Sequence, residues 1–345
     1  MKLADKIYTV ESVLKGHPDK ICDQISDGLL DLYLEKDINS HTAIECLGNS
    51  NGLVIAGEVD SIANIEIEKN CQILYNKITG LPPVNIINLL SKQSAQLKKP
   101  IENNVAGDQG IMYGYACDNP SYNYLPTGCW IANTIAKRLD DYREKTKLFL
   151  SDGKVQVIVN KNEIIKLIIN VQHFSNTNME FLRKSIKENI LYDINSKEIV
   201  INYDENFIRG GFNNDTGLTG RKIMVDTYGG LIPHGGGAFS GKDPSKLDRN
   251  AAYMCRFVAK NIVANGYAKE CCISVAYEFG KEMPIMLNVE ADNSNYILEI
   301  INKNFDFRPK AIIEYLNLKN IKYLLTATYG HFTFSNYPWE KIIKI

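Results

Sequence analysis

The residues best suited to chemistry lie in one glycine-rich segment, residues 210–242. It reads GGFNNDTGLTGRKIMVDTYGGLIPHGGGAFSGK and holds ten of the chain's 24 glycines. Glycine lets backbone amides approach a ligand closely, and lysine or arginine in such a frame binds polyphosphate. Acidic residues beside the cations are typical of a divalent metal carried with the phosphates. The segment therefore predicts a phosphate site, with candidate charges at Asp215, Arg221, Lys222, Asp226, Lys242, Asp243, Lys246 and Asp248.

A second cluster, His17-Pro18-Asp19-Lys20, lies where a helix is predicted to begin. Free amide groups and the helix dipole favour anions at such a position. A hydrogen-bond donor, a metal ligand and a cation thus fall within four residues. Carboxylates recur at every fourth position of this helix, at Asp19, Asp23, Asp27 and Asp31. For the last two, the pattern predicts a solvent-exposed face.

Three familiar kinds of site do not fit the sequence. Gly236-x-x-x-x-Gly241-Lys242 nearly matches a P-loop, but Asp243 stands where the loop needs a Ser or Thr to hold Mg²⁺. No G-x-G-x-x-G follows a predicted strand, and no G-x-S-x-G turn occurs. The residues of these motifs therefore predict an enzyme of unfamiliar fold that acts on Mg²⁺-polyphosphate.

Composition argues against binding through bulk charge. The 345 residues include 39 Lys and Arg against 40 Asp and Glu, a net charge of −1, which excludes a general binder of nucleic acid or anionic membrane. The eight cysteines show no C-x-x-C pair, so we expect them to be small buried hydrophobic side chains. Free cysteines of this kind fit a reducing compartment. With no signal peptide or long apolar run, we expect a soluble cytoplasmic protein with no membrane partner.

The elements that must position these residues recur three times along the chain. Each unit is predicted as a helix, a two-stranded hairpin and a second helix, with hairpins beginning near residues 42, 155 and 271. The predicted helices are 21–34, 62–78, 130–145, 181–191, 247–265 and 296–305. The predicted strands are 42–47, 53–59, 155–159, 164–171, 271–279 and 285–289. Because such a unit leaves one sheet face open, we predict an α+β protein of three similar αββα units that oligomerises.

We place the unit boundaries at 1–98 for an N-terminal unit, 105–209 for a central unit and 210–345 for a C-terminal unit. A polar stretch containing Pro100, residues 91–106, separates the first two units. It is either a mobile loop beside a site or a plain linker.

These motifs resemble those of the S-adenosylmethionine synthetase (methionine adenosyltransferase) family. The matching motifs, which occur in the same order as in the family, are GHPDKI (16–21), GDQGIM (107–112), GLTGRK (217–222), VDTYGG (225–230) and HGGGAFSGKDPSK (234–246). The resemblance spans nearly the whole chain and implies three units around a pseudo-threefold axis. It also implies a homodimer or dimer of dimers with active sites at the subunit interface. The implied transferase reaction is attack of the methionine sulfur on C5′ of ATP, followed by hydrolysis of tripolyphosphate to diphosphate and phosphate.

The resemblance further implies roles for individual residues. The catalytic positions are His17, Lys154, Arg221, Lys242 and Lys246. The ATP-binding positions are His17, Asp152, Gly153, Lys154, Phe207, Asp215, Arg221, Lys222, Ala238, Lys242 and Ile313, with Phe207 stacking on adenine and Ile313 lining the same pocket. The methionine-binding positions are Glu58, Gln93, Asp108, Asp215 and Lys246. The implied cofactors are Mg²⁺, two per site, at Asp19 and Asp248, and K⁺ at Glu45.

The chain departs from the family pattern in three places. The segment after Gln93 is contracted, which leaves the motion of the corresponding gating loop open. Lys15 replaces a common Glu and is expected to place an extra cation near His17, and Asn206 replaces a common Arg before Phe207. Two alternatives to an active synthetase remain: a non-catalytic ATP-binding paralogue, and a tripolyphosphatase remnant that has lost methionine binding.

Overall fold

Three β-sheets backed by helices make up the fold in the computed structural model, which describes residues 6–94 and 105–345. The strands are β1 (Ile7–Val13), β2 (His41–Asn49), β3 (Gly52–Asp60), β4 (Ile86–Lys92), β5 (Gly110–Cys117), β6 (Gly153–Asn160), β7 (Glu163–Val171), β8 (Ser196–Ile201), β9 (Gly217–Leu218), β10 (Glu270–Tyr277) and β11 (Met286–Ala291). The helices are α1 (Pro18–Lys36), α2 (Ile67–Thr79), α3 (Thr127–Thr146), α4 (Met179–Asn189), α5 (Leu247–Ala264), α6 (Ser294–Asn304) and α7 (Pro309–Tyr315).

The three units share one plan, which confirms the predicted α+β fold of three similar units. Each contains a long helix, an antiparallel hairpin and a shorter helix: α1-β2-β3-α2, α3-β6-β7-α4 and α5-β10-β11-α6. In the first two units a further strand follows the second helix and pairs in parallel with the hairpin, β4 with β3 and β8 with β7. These parallel strands, β1, β5 and α7 lie outside the predicted elements.

Each sheet also takes one strand from a different third of the chain. The N-terminal β1 pairs with β6 of the central unit, and β5 pairs with β10 of the C-terminal unit. The short β9 closes the cycle by pairing with β2, Leu47 opposite Leu218. The exchange links the three units through backbone hydrogen bonds, so the glycine-rich segment that contains β9 lies against the N-terminal sheet.

Helix α1 lies in the interior, and its polar side is covered as well as its apolar side. Ile21, Ile25 and Leu29 are fully buried against the N-terminal sheet. Asp27 is also fully buried, and Asp31 is half-buried, accepting hydrogen bonds from the backbone N–H groups of residues 323 and 324 at 2.7 and 3.0 Å. The expectation of a solvent-exposed face at Asp27 and Asp31 is therefore wrong, because segments of the C-terminal unit cross this side of the helix.

The cysteines are small side chains that lie mostly in the interior, as the sequence predicts. All eight cysteines are free thiols, six of them buried and two half-buried. In the described part of the chain, no helix is both long and apolar enough to cross a lipid bilayer.

Candidate active site

The start of α1 and the GLTGRK loop form one charged cluster. His17 is the N-cap of α1, and its Nδ1 accepts the Asp19 backbone N–H at 3.2 Å. The loop reverses at Gly220, whose φ of +79° is readily adopted only by glycine. It thereby returns Arg221 Nε and Lys222 Nζ to the Asp19 carboxylate, at 2.8 and 2.6 Å.

The pKa values of this cluster make His17 a neutral hydrogen-bond donor and keep the Asp19 carboxylate ionised. Burial and the charge of Lys222 lower the pKa of His17 to about 3, so the imidazole is neutral at pH 7. Because Nδ1 accepts a hydrogen bond, the ring proton lies on Nε2, which is free to donate. Burial alone would raise the pKa of Asp19, but the hydrogen bond and charge of Lys222 outweigh it, and the pKa falls.

A cavity of about 750 Å³ opens beside this cluster. Its volume lies within the roughly 300–1,000 Å³ range of small-molecule sites. The predicted site residues on its wall are His17, Asp152, Gly153, Lys154, Phe207 and Asp215. Asp152 accepts the Gly211 N–H at 2.8 Å, and burial raises the pKa of this carboxyl to about 6. Lys154, at the start of β6, lies 3.2 Å from Glu11 on the exchanged strand β1.

The same cavity contains a cation that the sequence reasoning missed. Arg209 lines the wall two residues after Phe207 and is exposed, and within the described residues its guanidinium has no hydrogen bond or ion pair. Its position two residues after Phe207 is the sequence signal that could have identified it as a site residue. Asn206 lines the cavity too, with its amide directed to Asp204 at 2.6 Å.

Lys15 does not supply the extra cation expected near His17. Its ammonium forms an ion pair with Glu144 on α3, and its backbone N–H donates to Asp140 Oδ2 at 2.9 Å. The expectation is therefore wrong, since a carboxylate on the neighbouring helix neutralises this lysine.

A second charged cluster forms where the HGGGAFSGKDPSK segment meets α5. Lys242 forms an ion pair with Asp248, in the first turn of that helix, and Lys246 lies 3.5 Å from Asp243. Gly237 packs so closely on Asp248 that a Cβ would lie 2.1 Å from its Oδ1. Burial would raise the pKa of Asp243, but the charge of Lys246 outweighs it and lowers that pKa.

The remaining predicted residues lie on the N-terminal sheet or just before β5. Glu45 is exposed on β2, and Glu58 is half-buried on β3. Gln93, just after β4, is buried, and its Oε1 has no hydrogen-bond partner within the described residues. Asp108 is exposed just before β5. Residues 95–104, which make up most of the polar stretch 91–106 predicted as a mobile loop or a linker, lie outside the described residues.

Ile313 and Ala238 are two predicted ATP-binding residues that do not line the cavity of Phe207. Ile313, on α7, lines a different cavity of about 1450 Å³, together with His41, Asp243 and Val105. Within one chain, the structure thus does not bring Ile313 to the cavity of Phe207. Ala238 is half-buried against Gly220, at the boundary between the two clusters. The predicted site residues therefore form two groups on one chain.

The acidic residues fit a metal that arrives with a phosphate ligand. Among the described residues, no group of three or more His, Cys, Asp or Glu side chains could hold a metal ion alone. Asp19 and Asp248 are instead single carboxylates, each beside a lysine. Mg²⁺ is commonly bound by one or two carboxylates plus substrate phosphates, so this donor set fits Mg²⁺-polyphosphate.

The outer face of the N-terminal sheet carries apolar side chains that the described residues of the single chain leave exposed. Leu47, Ile87 and Leu89 are 44%, 47% and 60% exposed, and Glu45 lies on the same face as Leu47 because strand side chains alternate. Contiguous exposed apolar side chains of this kind mark interaction surfaces.

Comparison with known proteins gives three consecutive domain matches. Residues 5–95 match the model of the S-adenosylmethionine synthetase N-terminal domain, 103–210 the central domain and 209–341 the C-terminal domain. Similar proteins named S-adenosylmethionine synthase include those of Borreliella afzelii (42% identical, covering 98% of this chain and 95% of the relative) and Mycoplasma mycoides (40%, covering 99% and 96%). The protein of Petrotoga mobilis is 38% identical, covering 98% of this chain and 97% of the relative.

Proposed function

Because the chain belongs to the S-adenosylmethionine synthetase family, and is accordingly a transferase of the methionine adenosyltransferase class, we propose that it forms S-adenosylmethionine from ATP and L-methionine. In the proposed reaction, the methionine sulfur attacks C5′ of ATP and the C5′–O bond breaks. The tripolyphosphate is then hydrolysed to diphosphate and phosphate.

The observation that carries this proposal is the cavity with an aromatic ring and cationic groups on its wall. Phe207 is available to stack on adenine, and Asp152 and Gly153 to hold the ribose side. The methionine sulfur carries no proton to remove, so its attack on C5′ needs no general base. Its barrier lies in the departing negative charge, and fixed donors and cations are the effective means of stabilising such charge.

The cations around the Asp19 cluster would bind the triphosphate. His17 can donate from Nε2, while Lys154, Arg221 and Lys222 present positive charge close to it. Lys242 and Lys246 would add charge from the second cluster, and Ile313 and Ala238 would complete the nucleotide pocket. Each lysine now paired with a carboxylate could exchange that partner for a phosphate oxygen.

We assign two Mg²⁺ ions to Asp19 and Asp248, and K⁺ to Glu45. When bound, Mg²⁺ neutralises charge on phosphate oxygens. Glu45 supplies one exposed carboxylate, so further oxygen ligands would be needed from a neighbouring chain or the backbone.

We assign methionine to Glu58, Gln93, Asp108, Asp215 and Lys246. The Gln93 Oε1 atom, which is buried and has no hydrogen-bond partner among residues 6–94 and 105–345, supports this assignment. A buried polar atom without a partner costs free energy, and a hydrogen bond from the methionine ammonium would remove that cost.

A homodimer, or a dimer of dimers, would complete the active site. Two features support this proposal: the division of the site residues into two groups, and the apolar side chains on the outer face of the N-terminal sheet that the described residues leave exposed. In a symmetric dimer, the Asp19 group of one subunit would face the Lys242 group of the other, giving two shared sites.

Product analysis by mass spectrometry tests the proposed reaction. The protein is incubated with ATP, L-methionine, Mg²⁺ and K⁺, and each component is omitted in turn. S-adenosylmethionine is expected in the complete mixture, with a weaker signal without K⁺ and none without ATP, methionine or Mg²⁺. Phosphate without S-adenosylmethionine would favour a tripolyphosphatase remnant, whereas ATP binding without product would favour a non-catalytic paralogue.

A further inference from the structure

A buried ion pair lies directly beneath the loop that carries Lys242. Asp27 of α1 and Arg249 of α5 are both fully buried and form two parallel hydrogen bonds, each 2.7 Å long. The Arg249 guanidinium lies over the ring of Tyr323, with its Cζ atom 4.2 Å from the ring centroid. Such a paired, planar contact fixes the relative position of two helices more tightly than a single point charge would.

The same two side chains also hold the backbone of the loop. Asp27 Oδ1 accepts the Gly241 N–H at 2.8 Å, and Arg249 Nη1 donates to the Lys242 carbonyl at 3.0 Å. The Gly241 carbonyl in turn accepts from the edge of β2, at Ile44 N and Thr42 Oγ1. The backbone on both sides of the Gly241–Lys242 peptide is thus fixed.

The first turn of α5 therefore contacts Lys242 at both ends. Asp248 pairs with its ammonium, and the next residue, Arg249, binds its carbonyl. A lysine side chain has four rotatable bonds, so its ammonium is placed accurately only if its backbone and its partner belong to one rigid element. Helix α5 supplies both contacts.

We propose that Asp27 and Arg249 are positioning residues for the reaction, acting through Lys242. The inference rests on the proposed function, in which Lys242 neutralises the departing tripolyphosphate. Neither side chain lines the cavities of about 750 and 1450 Å³ formed by the described residues, so their effect on the rate passes through the geometry of the loop. Weakening the pair should lower kcat only while Lys242 is present.

The chain offers a matched control on the same helix. Arg256 is equally buried and forms an ion pair with Glu340, with Nε to Oε1 at 2.9 Å. It also binds backbone carbonyls, including that of Tyr115 at 2.7 Å, but among the described residues none of its hydrogen bonds or ion pairs goes to the loop that carries Lys242. Substituting Arg256 should therefore cost stability without affecting the placement of Lys242.

A double-mutant cycle tests the inference. Arg249→Lys and Arg256→Lys are each made in the wild-type and the Lys242→Met chains, and kcat is measured by mass spectrometry alongside urea unfolding. We expect Arg249→Lys to lower kcat at least about tenfold in the wild type and less than about twofold in Lys242→Met. Arg256→Lys should destabilise both chains comparably and leave kcat within about threefold.

Two outcomes would overturn the inference and separate it from the proposed function. Equal fold losses from Arg249→Lys in both backgrounds would show action independent of Lys242, with the role of Lys242 intact. A Lys242→Met chain with wild-type kcat would overturn the proposed role of that lysine and the inference with it. If Arg249→Lys fails to fold, Asp27→Asn takes its place in the cycle, since it keeps an oxygen for the Gly241 N–H.

Discussion

Replacing Gly237 by alanine should disable the second charged cluster while leaving the backbone conformation intact. The Gly237 φ lies outside the left-handed region, so alanine meets no backbone penalty there. Its Cβ, however, would lie 2.1 Å from Asp248 Oδ1 and 2.2 Å from the carboxyl carbon. The Asp248 side chain must therefore move, and its ion-pair partner Lys242 with it.

The size of the effect follows from the size of that displacement. The new methyl carbon would lie about 1.3 Å inside an ordinary van der Waals contact with Oδ1. Misplacement of catalytic groups by about 1 Å costs on the order of 100-fold in rate, or roughly 2.7 kcal/mol of transition-state stabilisation. We therefore expect Gly237→Ala to lower kcat about 100-fold.

The neighbouring Gly236 provides the control for this experiment. It has a φ of +94°, and no atom lies within 4 Å of the position that a Cβ would take, so alanine there strains the backbone without touching Asp248. Gly236→Ala should cost about 1–2 kcal/mol of stability but keep kcat within about threefold. Rates are measured as S-adenosylmethionine formed at saturating ATP and methionine, with thermal unfolding of each variant. Equal kcat values for the two variants would refute the placement of the Lys242–Asp248 pair in the site.

Two further predictions concern buried charge and the nucleotide cavity. Lys20→Met should lower the free energy of unfolding by about 3–5 kcal/mol in urea, because it leaves Asp23 and Asp226, now 2.8 and 2.5 Å from the ammonium, without a buried cation. A loss below about 1 kcal/mol would contradict that account. Arg209→Ala should raise KM for ATP about tenfold with kcat nearly unchanged, because the guanidinium lies on the cavity wall and forms no ion pair with any described residue, so it is available to the nucleotide. An unchanged KM would mean that Arg209 faces only solvent.

The repeating units were accessible from the sequence because local periodicity determines them. The spacing of Ile21, Ile25 and Leu29 predicts α1, and the alternation around residues 42–59 predicts the first hairpin. The exchanged strands could not be found in this way. Whether β1 pairs with β6 or with a nearer strand depends on the packing of whole units, which a local pattern does not record.

The candidate site, like the fold, could be predicted only where it depends on local sequence patterns. Residue types and spacing were enough to select His17, Asp19 and the GLTGRK loop, which meet in the fold. The buried state of Asp27 depends on Arg249, more than 200 residues away, so the periodicity of α1 alone indicated a solvated face. The pairing of Lys15 with Glu144 could not be predicted from a local pattern either, because the two residues lie far apart in the sequence.

The central claim is that each active site combines the Asp19 group of one subunit with the Lys242 group of another. Subunit mixing tests it most directly. Lys222→Met inactivates the first group and Lys242→Met the second, so each variant alone should be nearly inactive. A heterodimer of the two would contain one site with both groups intact. After unfolding and refolding together at equal concentrations, we expect recovery of about one quarter of wild-type S-adenosylmethionine formation. Activity no higher than that of the separate variants, with mixed dimers verified by native mass spectrometry, would contradict the shared site.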